Sequence, residues 1–128
     1  MLTILQIFLA ALGSWLFGAV WYGVLGKRWM SAAGVTQEQV SDKNPTPFIV
    51  SFLCALVVAA AMNHVLNTGG LVTLGAGLTT GASIGLFFSL PWIVTNYLFA
   101  HRDRALIWID GTYAVVGSAI MGTVLTLW

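Results

Sequence analysis

Charged side chains are missing from four long runs of this chain, at residues 2–26, 47–63, 71–100 and 111–128. About 20 apolar residues in a helix cross the hydrocarbon core of a bilayer. A helix is the open-chain structure that satisfies its own backbone hydrogen bonds there. Only 7% of the 128 residues are charged, against about 25% in an ordinary soluble domain. Nine such side chains cannot dress a water-facing surface, whereas a lipid-covered protein needs no such dressing. The expected fold class is therefore an all-α integral membrane protein, a four-transmembrane-helix bundle forming a single domain over residues 1–128. If Asp110 is allowed inside the last run, the spans fall at about 2–26, 47–66, 72–100 and 105–127.

The connections set the orientation. Residues 27–46, KRWMSAAGVTQEQVSDKNPT, form a polar loop; NTGG makes a tight hairpin and HRDR a very short turn. Thr36 to Gln39 has the form of a capping box and predicts a short interfacial helix. Thr46-Pro47 predicts an N-cap followed by proline in the first turn. All five basic residues, Lys27, Arg28, Lys43, Arg102 and Arg104, lie in the first and third connections. Two spans separate those connections, so they share one face. The positive-inside rule makes that face cytoplasmic and puts both termini outside the cytoplasm. Trp21, Trp29 and Trp108 flank that face, and Trp128 the other. The opening run lacks the basic n-region of a secretory signal and exceeds its apolar length, so it reads as a retained span.

Several chemistries are excluded. A net charge of +1 offers nothing to nucleic acid, and Cys54 is the single cysteine. The two histidines, His64 and His101, sit in different segments, so no metal set is expected. No nucleophile–base pair or cofactor motif is present, and GAGLTTG lacks the lysine of a phosphate loop. Enzymatic activity and a bound cofactor are not expected.

Close helix packing in lipid needs small residues on facing stripes, and every span has one. They are Ala10, Ser14 and Gly18; Ser51, Ala55 and Ala59; Gly77, Gly81, Gly85 and Ser89; and Ala114, Ser118 and Gly122. Such a bundle is tight, either within one chain or between copies. The Gly77–Gly81–Gly85 face is the first candidate for self-association. The third span is long, with Pro91 expected to kink it and its glycine-rich start expected to be irregular.

Asp110 is the one acid inside a span, about five residues or roughly 8 Å past the start of the last helix. Ala114, Gly117 and Met121 share its face, while Ile109, Val116, Ile120 and Val124 suit lipid. Asn96 and Tyr22 fall at the same depth on two other helices, which predicts a hydrogen-bonded cluster of Asp110, Asn96 and Tyr22, joined by Tyr113 or Tyr97. The cluster reads as a structural latch ahead of an ion or proton site, although intramembrane acids are often functional. At the opposite end, roughly 20 Å away, His64, Asn63 and Asn67 form a polar group read as an interfacial cap. The expected partners are the lipid bilayer and a second copy or another membrane protein.

The stretches WYGVLGKRWM (Trp21 to Met30), NYLFAHR (Asn96 to Arg102), WIDGTY (Trp108 to Tyr113) and MGTVLTLW (Met121 to Trp128) resemble a family of bacterial membrane proteins, domain of unknown function 1761. Trp21, Tyr22, Trp29 and Phe99 carry the resemblance best, and it covers nearly the whole chain. It implies a multi-pass four-span bundle of the bacterial inner membrane and no assigned activity. An amide at the position of Asp110, which the resemblance allows, would favour the latch. The resulting expectation is a self-associating structural or interaction subunit; the alternative is an oligomeric channel or carrier for protons, cations or a small solute using the site around Asp110.

Overall fold

The computed structural model describes residues 2–41 and 43–128; Met1, and Asp42 within the loop expected at 27–46, lie outside the described residues. All regular structure among the described residues is helical. Span one is α1 (Leu2–Val24), followed by the short helices α2 (Gly26–Ala33) and α3 (Gln37–Ser41). Span two is α4 (Thr46–Thr68), and span four is α7 (Arg104–Leu125). Span three, Leu74–Phe99, is divided into α5 (Leu74–Ile84), a π-helical turn (Gly85–Ser89) and α6 (Leu90–Phe99). All four spans are long and apolar enough to cross a membrane.

Local chemistry explains most of these boundaries. Thr36 and Gln39 form the reciprocal bonds of a capping box at α3, at 2.8 and 3.2 Å. The cap expected at Thr46 lies one residue earlier, because Thr46 is already helical and Pro45 occupies the N-cap. Asn44 Oδ1 accepts the Thr46 N–H there at 3.1 Å. The glycine-rich start of span three is regular rather than frayed, since Thr73 caps it by accepting the Ala76 N–H at 3.1 Å. Asp103 caps α7 in the same way through the Ala105 N–H at 2.9 Å.

The irregularity of span three comes at the π turn, just ahead of Pro91. Proline has no N–H to give and its ring crowds the carbonyl four residues back. Here the Leu90 N–H reaches the Gly85 carbonyl, five residues back, and Pro91 falls in the first turn of α6, where its missing donor costs little. The π turn takes up one residue beyond the α repeat, so everything after it is rotated by about 100° relative to a continuous α-helix.

α7 is the hub of the bundle. It packs against α1 on one side and against α5, the π turn and α6 on another; α4 lies along α1 and meets α7 and α5 more sparingly. Ile109 is fully buried, which corrects its expected place on a lipid-facing stripe: a central helix has neighbours on most sides. The core joins Ala10 and Ala11 of α1, Ala55, Ala59, Met62 and Leu66 of α4, and Met121 and Leu125 of α7. These residues lie toward the end that carries the hairpin, so the first half of α4 is left open, with Phe48, Ile49, Val50 and Leu53 exposed.

The glycine stripe is used inside the chain. Gly77, Gly81 and Gly85 face the backbone of α7 at Gly122, Ser118 and Ala114. A Cβ on Gly85 would stand 2.5 Å from Val115 Cα and 2.6 Å from the Ala114 carbonyl oxygen. Nothing larger than hydrogen fits at that distance. This corrects the expectation that the Gly77–Gly81–Gly85 face meets a second copy, because the chain's own last span already fills it. Ser89, expected to extend the stripe, lies half-buried in the π turn.

Candidate functional site

Asp110 projects from α7 between two neighbouring spans and is half-buried. The Tyr22 hydroxyl of α1 donates to Oδ1. The Tyr97 hydroxyl of α6 donates to Oδ2 at 2.5 Å. Each carboxylate oxygen thus accepts one phenolic proton, and a single side chain ties three spans together. Tyr113 joins through its ring, edge-on to Tyr22 at 5.5 Å between centroids and stacked on Phe17 at 6.1 Å. Its ring covers Gly18, where a Cβ would come within 2.8 Å of Cε1. Ser14 fits beside Gly117 one turn further on, so the small residues of α1 serve to seat α7.

Asn96 is not in this cluster. It is exposed, and Tyr97 occupies the position expected for it. The cause is the π turn: on an unbroken α-helix the face that carries Gly85 and Ser89 returns at residue 96, whereas one added residue brings back 97. Sequence reasoning also missed the indole of Trp21, whose Nε1 donates to the Ile109 carbonyl at 2.9 Å. A tryptophan one residue before Tyr22 was visible, but its target is a backbone atom, which leaves no trace in composition.

Just outside the cluster lies the basic end. The Arg28 guanidinium sits 5.4 Å from the centre of the Trp108 ring, and Trp29 stands edge-on to Tyr22 at 6.2 Å. Arg102 donates to the Ala33 carbonyl at 3.3 Å, which joins the first and third connections at one end of the molecule. His101 takes a left-handed conformation, φ 55°, to close the turn between α6 and α7.

The residues expected at the opposite end diverge in placement. His64 is exposed, while Asn63 and Asn67 line a cleft of about 190 Å³ together with Thr3, Gln6, Thr126 and Trp128. Thr126 spends its hydroxyl on the Gly122 and Thr123 carbonyls of its own helix, at 2.9 and 3.1 Å. A second cleft, of about 310 Å³, is apolar and lies between α1 and the open half of α4, lined by Trp15, Phe48, Ile49, Phe52 and Leu53. Neither cleft includes Asp110.

A family model described as Protein of unknown function (DUF1761) matches residues 5–126. The chain belongs to this family. No curated protein and no solved structure matches it. The DUF1761 match runs from the first turn of α1 past the end of α7, so it takes in Tyr22, Tyr97, Asp110 and Tyr113 together with the glycine stripe. Membership in DUF1761 brings no activity with it.

Proposed function

We propose that this protein is a non-enzymatic, multi-pass subunit of the bacterial inner membrane, built for assembly or interaction, with Asp110 as its internal latch. The observation that carries this reading is that Tyr22 and Tyr97, from two different spans, each donate to one oxygen of Asp110. An acid whose two oxygens are each held by a different span resists the exchange of partners that transport requires. The bundle weighs 13.7 kDa and fills its helix contacts with glycine, alanine and serine, which favours packing over a lumen. Both termini lie outside the cytoplasm in this reading, since the basic connections gather at the other end.

Association with a second copy uses the open half of α4, because the glycine stripe is already occupied. The unpaired Cys54 is exposed there, so oxidative crosslinking in native membranes tests it directly. A disulfide-linked dimer is expected. A chain that stays monomeric in crosslinking and in detergent would remove self-association from the reading.

The second reading is a proton or cation path, favoured by the presence of an ionisable group inside a span. Flux in proteoliposomes with wild type, lost on Asp110→Asn while the fold persists, would replace the latch by a carrier. No flux with either protein supports the structural account.

A further inference from the structure

After Val24 the chain leaves the first span and turns into α2, eight residues that lie against α1 and the start of α7. Trp29, Met30 and Ala33 are half-buried on its inner side, while Lys27, Arg28 and Ser31 are exposed on its outer side. A short helix of this kind, basic on one face and apolar on the other, suits the boundary between headgroups and acyl chains. Two further cations lie at the same end of the molecule. Arg104 is exposed in the first turn of α7, one helical turn before the Trp108 ring that carries the Arg28 guanidinium. Arg102 is fastened to the end of α2 by its bond to the Ala33 carbonyl.

The acids nearest these cations along α7, Asp103 and Asp110, each accept hydrogen bonds from other groups. Asp103 Oδ1 accepts the Ala105 N–H in the first turn of α7, and each oxygen of Asp110 accepts from one tyrosine. Arg28 is held over an indole instead of an acid, which orients its guanidinium and leaves its charge free to meet an anion. The surroundings identify the anion. Trp21 and Trp108 pack edge-on at 6.4 Å beside the cations, at the level where indoles meet headgroups, and exposed apolar spans begin immediately below.

We propose that Lys27, Arg28, Arg102 and Arg104, arranged around Trp108 and α2, form a binding site for the phosphate headgroup of an anionic phospholipid. The site does not depend on which side of the membrane the basic end faces, nor on the role of Asp110. The lipid phosphate lies between Arg28 and Arg104, and its acyl chains run down the exposed apolar surface of the spans.

The test reconstitutes the protein in phosphatidylcholine vesicles doped with phosphatidylglycerol, then measures by mass spectrometry which lipid stays bound after mild extraction. Wild type should retain phosphatidylglycerol well above its share of the membrane. Each cation near an anionic surface contributes roughly fivefold in affinity, so Arg28→Gln with Arg104→Gln should bring the retained mixture close to that of the membrane. Arg28→Lys with Arg104→Lys should keep the enrichment. Should the glutamine pair fail to fold, wild type washed at about 1 M salt, where charges are screened beyond about 3 Å, provides the same comparison and should lose the enrichment. Retention in proportion to the membrane composition by wild type would overturn the proposal, as would enrichment that survives both the glutamine pair and high salt. A thermal midpoint raised as much by inorganic phosphate in pure phosphatidylcholine as by phosphatidylglycerol would overturn the lipid as ligand.

Discussion

At Asp110, hydrogen bonding and charge can be separated by substitution. In Asp110→Asn the amide oxygen still accepts one tyrosine hydroxyl and the amide N–H donates to the other, so both links persist as neutral bonds. The expected cost is about 1 kcal/mol, the scale of one ordinary hydrogen bond. Asp110→Leu leaves the Tyr22 and Tyr97 hydroxyls without their acceptor, at about 1–3 kcal/mol each. Thermal unfolding in detergent should therefore rank wild type, asparagine and leucine in that order, with a wide gap before leucine. Equal midpoints for the two variants would mean that the carboxylate holds nothing together. Gly85 behaves differently, because its neighbours are backbone atoms that cannot rotate away. Gly85→Ala should cost about 1–3 kcal/mol, the range for forcing a methyl group into a filled core. Gly23, with nothing near its missing Cβ, should accept alanine with no loss of midpoint.

Among the elements, the π turn decides which side chain reaches the acid. Phe88 lies within it and is exposed, so its removal takes out the added residue without disturbing a contact in the core. Deleting Phe88 together with Pro91→Ala should give a continuous α-helix that still presents Tyr97 to Asp110, with a midpoint near that of wild type. Deleting Leu78 from regular α5 should instead rotate Gly81 and Gly85 off α7 and destabilise the protein severely; similar midpoints for the two deletions would show that the turn does not set the register. The same element marks the limit of what the sequence makes legible. The spans, the capping box at Thr36, the small-residue stripes and the pairing of Tyr22 with Asp110 were legible, because composition, spacing and depth depend on near-regular helices. Tyr97 in place of Asn96 was not, because the π turn at Gly85–Ser89 breaks the α repeat that links residue 85 to residue 96. Proline at 91 signalled an irregularity, but not whether the chain would kink or gain a residue. The destination of the glycine stripe was equally hidden, since a stripe states that something approaches closely and not which chain supplies it.

For the whole molecule, orientation in the membrane is the first thing to measure. In a Cys54→Ala background, Thr36→Cys should react with an impermeant maleimide only in inverted vesicles and Thr68→Cys only in intact cells; the opposite pattern would reverse the topology. The central position of α7 has a further consequence, which concerns biogenesis. α7 follows the other three spans in the chain, yet it is the surface on which α1, α5 and α6 settle. A ribosome adding about 5–20 residues per second delivers those spans to the membrane seconds before their partner exists. Until then Gly77, Gly81 and Gly85 face lipid through a groove lined by bare backbone, and Tyr22 has no acid to meet. The early helices must wait, held in place by hydrophobicity alone, and a nascent chain that stalls before Arg104 presents membrane quality control with an unfilled groove.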